Sequence, residues 1–594
     1  MDASPRLSVR TFLPILVAAL LSVAIYAPLL GHAFIWDDYV QISENPAVTK
    51  GVPAYRYFVD RTTTSTRTDY NTRIYRPLRN WVMHGVWKLG GAAPAHRTWF
   101  FHGMNLALYL LGSWLVFALV LLVGKDPWAA SLATALWLLM PVHAEDVLYA
   151  SALGDLLSMV LQLGGLCYVV RALAPSQSRP TREVIAALVT FTLSLFAKEM
   201  AITSVLLVPA YILSERREQL RTRRGLCAAL VLGHAGLGLG YLSLRTLVLE
   251  RLSQADASSA KLVHAIVHLP WLVMLNLRVA LQPLGHSPDY GPHLRGAFGT
   301  IVGAIAFFAL GAYCLRSARR GLRFGALVFF LVLLPVLQIA PIWTLLADRF
   351  LLVPSVGLAM IAASLLLRVP AHRQRIVAAL VAVLGLIEAG GLWIERARFV
   401  DDAHFWAYAV EVVPDSQISH HNLGLMFLQR GDPARALEHL REAYLLGRRH
   451  PSLTLYIAAA FEGLGRLDEA AEAAREAIAA DPSSGVPWAQ LASIQRGQHD
   501  LSGAERSLAE AQARGDAEPQ ILRVRAALLY AQGKLSEALR DYTRITELAS
   551  GDLPSWAARG QLALQLGRRS EAEAAAKRCG TLPGCVALQR SLAQ

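Results

Sequence analysis

Charge is what this chain has least of. Only 17% of its 594 residues are Asp, Glu, Lys or Arg, 54% are hydrophobic, and the mean hydropathy is +0.38. That balance excludes an ordinary soluble globule over much of the length and marks a membrane protein. Acidic residues are scarcer than basic ones, 44 against 57, for a formal net charge of +13. Such an excess could suit nucleic acid, but much of it is arginine clustered in short gaps between apolar runs, the pattern that membrane topology imposes. Cysteine is scarce as well, five residues in all, with Cys167, Cys227 and Cys314 in or beside apolar runs and Cys579 and Cys585 outside them. Those last two either form a short disulfide in an oxidising compartment or pack as free thiols.

What is present divides the chain in two. Residues 11 to about 395 hold nearly all the long apolar runs, and from about 400 onward the sequence is rich in Ala, Glu and Arg. The expected domains are therefore 1–398 and 399–594, each large enough for its own core. Candidate spans run over 11–30, 99–123, 128–141, 152–171, 184–197, 200–214, 225–248, 298–316, 324–345, 350–368 and 376–394. Ser22-Val-Ala24 has the look of a signal cleavage site, but the apolar run continues to Leu30, so the segment reads as a retained helix.

Arginine placement gives an orientation. Arg6 and Arg10, then Lys125, then Arg171, Arg179 and Arg182, then the group Arg216 to Arg224 fall in alternate gaps. The series continues with Arg316, Arg319, Arg320 and Arg323, and then Arg368, Arg373 and Arg375. It stays in phase if 262–284, interrupted by His268, Pro270, Asn276 and Pro283, is interfacial or re-entrant. The expectation is eleven spans, with the N-terminus in the cytoplasm and the C-terminal domain outside. The Ala- and Arg-rich composition suggests a GC-rich bacterial genome, hence an inner membrane and a periplasmic C-terminal domain. In this topology Asp37 and Asp38, His143 with Glu145 and Asp155, Lys198 and Glu199, Asp289 and Tyr290, and Asp348 and Arg349 all converge on the outer face. Carboxylates and cations at the ends of separate helices suit a charged amphiphile at the outer leaflet.

The soluble half carries a clear period. Alanines 436, 470, 504, 538 and 572 stand 34 residues apart, the spacing of tetratricopeptide repeats. Gly431, Gly465, Gly533 and Gly567 recur at the turn between paired helices, where unusual backbone angles are needed. About five helical hairpins are expected over 417–584, stacked into a solenoid with a concave surface suited to extended peptides of a partner protein. The fold class is thus all-α, a polytopic membrane helix bundle followed by an α-solenoid.

The outer-face motifs occur in a recognisable order. They are Trp36-Asp-Asp38 with Asn45-Pro46; Tyr75-Arg-Pro-Leu78; His102 to Asn105; and Pro141-Val-His143 with Glu145 and Gly154-Asp155. Then come Ala197-Lys-Glu199, Asp289-Tyr290, Asp348-Arg349 with Pro354-Ser-Val-Gly357, and Asn422-Leu-Gly424. Joined to the repeats, this order resembles the transmembrane-and-tetratricopeptide-repeat O-mannosyltransferases and their bacterial relatives, over nearly the whole chain. The resemblance implies a GT-C type fold and a polyprenyl-phosphate donor of mannose or another hexose. It also implies Ser or Thr hydroxyls of proteins as acceptors at the non-cytoplasmic face. About five repeats is fewer than in many relatives, so acceptor choice does not carry over.

Transfer to a hydroxyl needs a base, and the resemblance points to Asp38 or Asp37. Adjacent residues on an extended segment face opposite ways, so one would be the base and the other structural or substrate-orienting. Both could instead form a solvated acidic turn. The departing phosphate needs positive charge, for which Arg349, Lys198 and Arg76 are candidates. Lys198 with Glu199, and Arg349 with Asp348, could equally be plain ion pairs or snorkelling groups. His143 and Glu145 make no convincing metal site, so no metal or other cofactor is expected. Asp155 orients a partner or simply sits at the interface, and Asp289 and Tyr290 are candidates for substrate contact. Two alternatives remain at this level: a related enzyme acting on a lipid or polysaccharide, or a non-catalytic membrane scaffold with protein-binding repeats.

Overall fold

The structure, a computed structural model, describes residues 9–65, 74–249, 259–290, 297–317, 319, 321–337, 346–367, 369–447, 451–515, 518–548, 552–579 and 583–593. Among these the regular structure is entirely helical. The chain forms two compact units, Met1–Asp415 and Ser416–Gln594.

In the first unit every apolar run expected to span is helical over most of its described length. Thr11–Leu29, Ala95–Gly124, Ala150–Ala172, Arg224–Leu249 and Ala371–Phe399 are long and apolar enough to cross a membrane. Shorter apolar helices such as Pro127–Leu139, Leu322–Val336 and Pro354–Leu366 accompany them. Part of the expected span 324–345 lies outside the described residues, as do Arg6, Arg320 and Arg368 of the orientation series. The stretch expected at the interface is a helix, Ser259–Leu281, with Pro270 inside it.

Local chemistry sets where these helices start and how closely they pack. Asp126 caps Pro127–Leu139 by accepting the backbone N–H groups of Trp128 and Ala129, and Pro127 occupies the first turn, where no N–H is missed. Gly325 and Gly357 let Leu322–Leu333 and Pro354–Leu366 meet backbone to backbone, since a Cβ on Gly357 would lie 2.4 Å from the Gly325 carbonyl oxygen. Gly154 opens Leu153–Ala172 to a neighbour in the same way. A Cβ there would sit 2.7 Å from Cδ of Arg79, so the glycine makes the room that lets Arg79 run past the helix toward the first loop.

The second unit is the expected solenoid. Its helices pair as Gln417–Gln429 with Pro433–Leu446, Pro451–Gly463 with Leu467–Ala480, Val486–Gly497 with Leu501–Gly515, Pro519–Ala531 with Leu535–Leu548, and Leu553–Gln565 with Arg569–Cys579, before a final helix Pro583–Ala593. The five periodic alanines, 436, 470, 504, 538 and 572, are all fully buried, because a methyl group is what fits between helices this close. Gly431, Gly465, Gly533 and Gly567 take φ between +71° and +75°. In the third repeat the same turn is made by His499 at φ +63°, with the Asp500 N–H reaching the Gln495 carbonyl at 2.9 Å. Cys579 and Cys585 are joined in a disulfide that ties the last hairpin to the final helix.

Candidate active site

The first apolar helix, Val9–Tyr26, gives way to the turn Ala27–Leu29 and then to a loop that folds back on itself. The acidic pair does not lie on an extended segment as expected. The Asp38 N–H donates to the Ile35 carbonyl (3.0 Å), the Gln41 N–H donates to the Asp37 carbonyl (2.9 Å), and Tyr39–Ser43 winds into one wide helical turn. Trp36 enters this turn at φ +51°, a left-handed conformation rare for a bulky residue.

The turn gives the two acids separate environments. Asp38 is fully buried; its Oδ1 accepts the Ser151 N–H at 2.7 Å and its Oδ2 the Ile35 N–H at 3.2 Å. Burial pushes its carboxyl up to about 7, outweighing the hydrogen bonds that favour the ionised form. Asp37 is half-buried, accepts a 3.3 Å hydrogen bond from Gln41 Nε2, and its charge acts on the guanidinium groups of Arg79 and Arg349.

The cations pair across helices, and the sequence-adjacent pairs considered above do not form. Lys198 binds Asp155 rather than Glu199. Glu199 is taken by Arg76 in a bidentate pair, Nε to Oε2 at 2.8 Å and Nη2 to Oε1 at 2.5 Å. Arg349 binds Glu145 through Nη1, and its backbone N–H also reaches Glu145 Oε2 at 3.3 Å. The reason is directional: adjacent residues at a helix end point apart, while ends of neighbouring helices point together. Burial works against the Glu199 carboxylate, but Arg76 overrides it and holds the group well below the usual range. Burial, then Arg76, pushes the Lys198 ammonium well below the usual lysine range.

A small cavity opens beside these pairs. Asp155, Gln162, Lys198 and Arg349 give it a polar side, and Val332, Phe350, Leu352 and Val353 an apolar one. That division fits a molecule with a charged head and a hydrocarbon body. Asp146 lies near the same charges; burial, then the neighbouring Glu145, drives its carboxyl well up toward the neutral acid.

The remaining expected residues lie in two other settings. Asp348 is fully buried and accepts from the Tyr290 hydroxyl (2.8 Å), from His286 Nδ1 (3.2 Å) and from Arg398 Nη2 (2.7 Å), so it points away from Arg349. Burial opposes its charge, yet His286 and Arg398 hold it below the usual carboxylate range. Asp289 is buried beside this knot, its carbonyl accepting the Ser287 hydroxyl at 2.8 Å. His143 is fully buried in a relay. The Ser355 hydroxyl donates to the Leu352 carbonyl, its oxygen receives Trp137 Nε1 (2.7 Å) and His143 Nε2 (2.9 Å), and the Tyr109 hydroxyl meets His143 Nδ1 (2.9 Å). Burial brings the imidazole down to about 3, which keeps it neutral.

Sequence reasoning passed over several groups that complete these clusters. Arg79 is fully buried one helical turn after Arg76 and donates to Gln41 Oε1 at 2.7 Å. The i, i+3 spacing from Arg76 was its available signal. His286, Glu395 and Arg398 had none, since each follows an apolar run where basic or acidic residues are ordinary.

Fold and site together define a helical membrane protein that carries a tetratricopeptide-repeat solenoid. Residues 403–485 match the Tetratricopeptide repeat family model. A 285-residue stretch is 28% identical to Protein O-mannosyl-transferase Tmtc2 of Drosophila melanogaster, covering 46% of this chain and 30% of that protein's length. Among solved structures, a thermophilic repeat protein of Thermus thermophilus is 19% identical over 30% of this chain and 97% of its own, at a TM-score of 0.27. PilF of Pseudomonas aeruginosa is 19% identical over 35% of this chain and 93% of its own, at a TM-score of 0.25.

Proposed function

We propose that this protein is a membrane glycosyltransferase that moves mannose or another hexose from a polyprenyl-phosphate donor to Ser or Thr hydroxyls of proteins at the non-cytoplasmic face. The observation that carries this reading is the divided acidic turn. Asp38 is buried with both oxygens on backbone N–H groups, while Asp37 is half-buried and acts on Arg349 at the polar side of a two-faced cavity. The similarity to Tmtc2 over part of the chain supports the reaction class.

In this reading Asp37 is the base. It takes the proton of the acceptor hydroxyl as the hydroxyl oxygen bonds to the sugar's anomeric carbon. The bond from that carbon to the donor phosphate breaks, and polyprenyl phosphate leaves with the electron pair. Arg349 and Lys198, both lining the cavity, receive the phosphate. Arg76 contributes to the field through Glu199. These cations supply the charge that a divalent metal would otherwise bring, so the reaction is read as metal-independent. The repeats recruit the acceptor or a partner protein. The Cys579–Cys585 disulfide suits an oxidising compartment and supports a repeat domain on the outer side, the periplasm in a bacterial cell.

The test is consumption of lipid-linked sugar in membranes. Asp37→Asn is expected to lose about 10²- to 10⁴-fold in turnover, the range for removing a general base. Asp38→Asn, at a fully buried position, is expected to retain far more. Full turnover in Asp37→Asn sinks the assignment. Glycoproteomes of cells with and without the protein then decide the acceptor: loss of a glycolipid or polysaccharide with every hydroxyl-linked protein sugar intact overturns the protein-acceptor reading.

A further inference from the structure

The acidic turn is gripped from a distant part of the chain. Asp402 opens the helix Asp402–Val412, the element that precedes the repeats in sequence. Its Oδ1 accepts the Trp36 N–H at 2.7 Å across 366 residues of chain, and its carboxylate also hydrogen-bonds the Tyr39 hydroxyl. Trp36 and Tyr39 flank Asp37 and Asp38, so one carboxylate holds both shoulders of the pair. Asp402 is itself buried, which shields these bonds from competing water.

Trp36 needs such a hold. Its φ of +51° is unfavourable for a residue with a Cβ, and a strained conformation persists only where its surroundings over-determine it. Here the indole stacks on Tyr149 (5.8 Å between centroids), meets Trp406 of the Asp402–Val412 helix edge-on (5.1 Å), and lies 5.2 Å from the Arg349 guanidinium. Trp36 therefore joins three things: the acidic turn, the helix before the repeats, and the cation at the cavity.

We propose that Asp402 and Trp36 are positioning residues that set the Asp37 carboxylate against Arg349 for sugar transfer. This rests on the reading of Asp37 as the base. Without the Asp402 acceptor, Trp36 relaxes toward negative φ and carries Asp37 out of register. Arg349 and Lys198 stay in place, so donor binding is preserved while the chemical step suffers.

The experiment uses the full chain in membranes, with two readouts. For Asp402→Ala, kcat is expected to fall about 10- to 100-fold, as for a small misplacement of a reacting group, with the donor KM within about twofold of the parent. Asp402→Asn keeps a carbonyl oxygen for the Trp36 N–H and is expected to recover most of that loss. Tyr39→Phe, at an exposed residue, should show a smaller drop in kcat at unchanged KM. The second readout is hydrogen exchange of the backbone over 35–42, expected to quicken in Asp402→Ala and Tyr39→Phe while other outer loops hold. Parental exchange and parental kcat in both variants overturn the proposal, as does a loss carried by KM alone. If the transferase reading itself is wrong, the parent consumes no donor and the exchange difference still appears; if only the grip is wrong, the parent turns over and exchange is unchanged.

Discussion

At the residue scale, two neighbouring aspartates of the same chemistry differ because one is fully buried and the other only half-buried. Asp38 illustrates how magnitudes decide. Its hydrogen bonds from backbone N–H groups favour the anion, yet burial wins and lifts the carboxyl to about 7. In an unfolded chain the same group titrates near 4, a difference worth on the order of 4 kcal/mol. Because the folded value is the higher one, the linked stability is full below about pH 4, declines from there, and is gone above about pH 7. The loop around residues 31–49 should therefore resist proteolysis better at mildly acidic than at mildly alkaline pH. Asp38→Asn should flatten that profile, and a profile unchanged by the substitution would remove Asp38 as its source.

At the scale of elements, the repeat turns show how one backbone requirement is met by different residues. Four of the five turns use glycine at φ above +70°, whereas the third uses His499 at φ +63°. A left-handed residue with a Cβ costs roughly 1–2 kcal/mol, part of which glycine gives back through the entropy of the unfolded chain. His499→Gly is thus expected to stabilise the solenoid by about 1 kcal/mol. Thermal or denaturant unfolding of the full chain, followed by a probe in the repeats, checks this; a decrease in stability would mean that the imidazole makes a contact outweighing its strain. The helix ends around the cavity show the complementary lesson. Lys198 and Glu199 are bonded neighbours but belong to different ion pairs, because the cap of a helix sends successive side chains in diverging directions.

At the scale of the whole molecule, orientation in the membrane is the property on which the proposed chemistry depends. The three cysteines outside the disulfide, Cys167, Cys227 and Cys314, are buried, so a single introduced thiol reports cleanly. Lys534 in the repeats and Arg217 in a basic gap are both exposed. A membrane-impermeant maleimide is expected to label Lys534→Cys in intact spheroplasts and to label Arg217→Cys only after the membrane is opened. The reverse pattern would invert the orientation and place the acidic turn on the cytoplasmic side.

The elements themselves were legible from the chain alone, for a physical reason. Apolar length announces a helix that must leave water, and a 34-residue recurrence of alanine and glycine announces a stack of hairpins, because both signals are local or periodic. The motifs at helix ends could likewise be read, since charge beside an apolar run is conspicuous. Partnership could not. Lys198 with Asp155, Arg349 with Glu145, and Asp348 with His286 and Arg398 are contacts between segments 43 to 204 residues apart, set by which helix ends pack together. The same holds for the acidic turn. The sequence by itself determined that Asp37 and Asp38 follow the first apolar helix; only the tertiary structure decided that Asp38 goes inside against Ser151, that Asp37 stays half-buried within electrostatic reach of Arg349, and that Asp402, 366 residues from Trp36, holds the turn at Trp36. Burial and long-range hydrogen bonding are properties of packed segments, and no stretch of chain carries them alone.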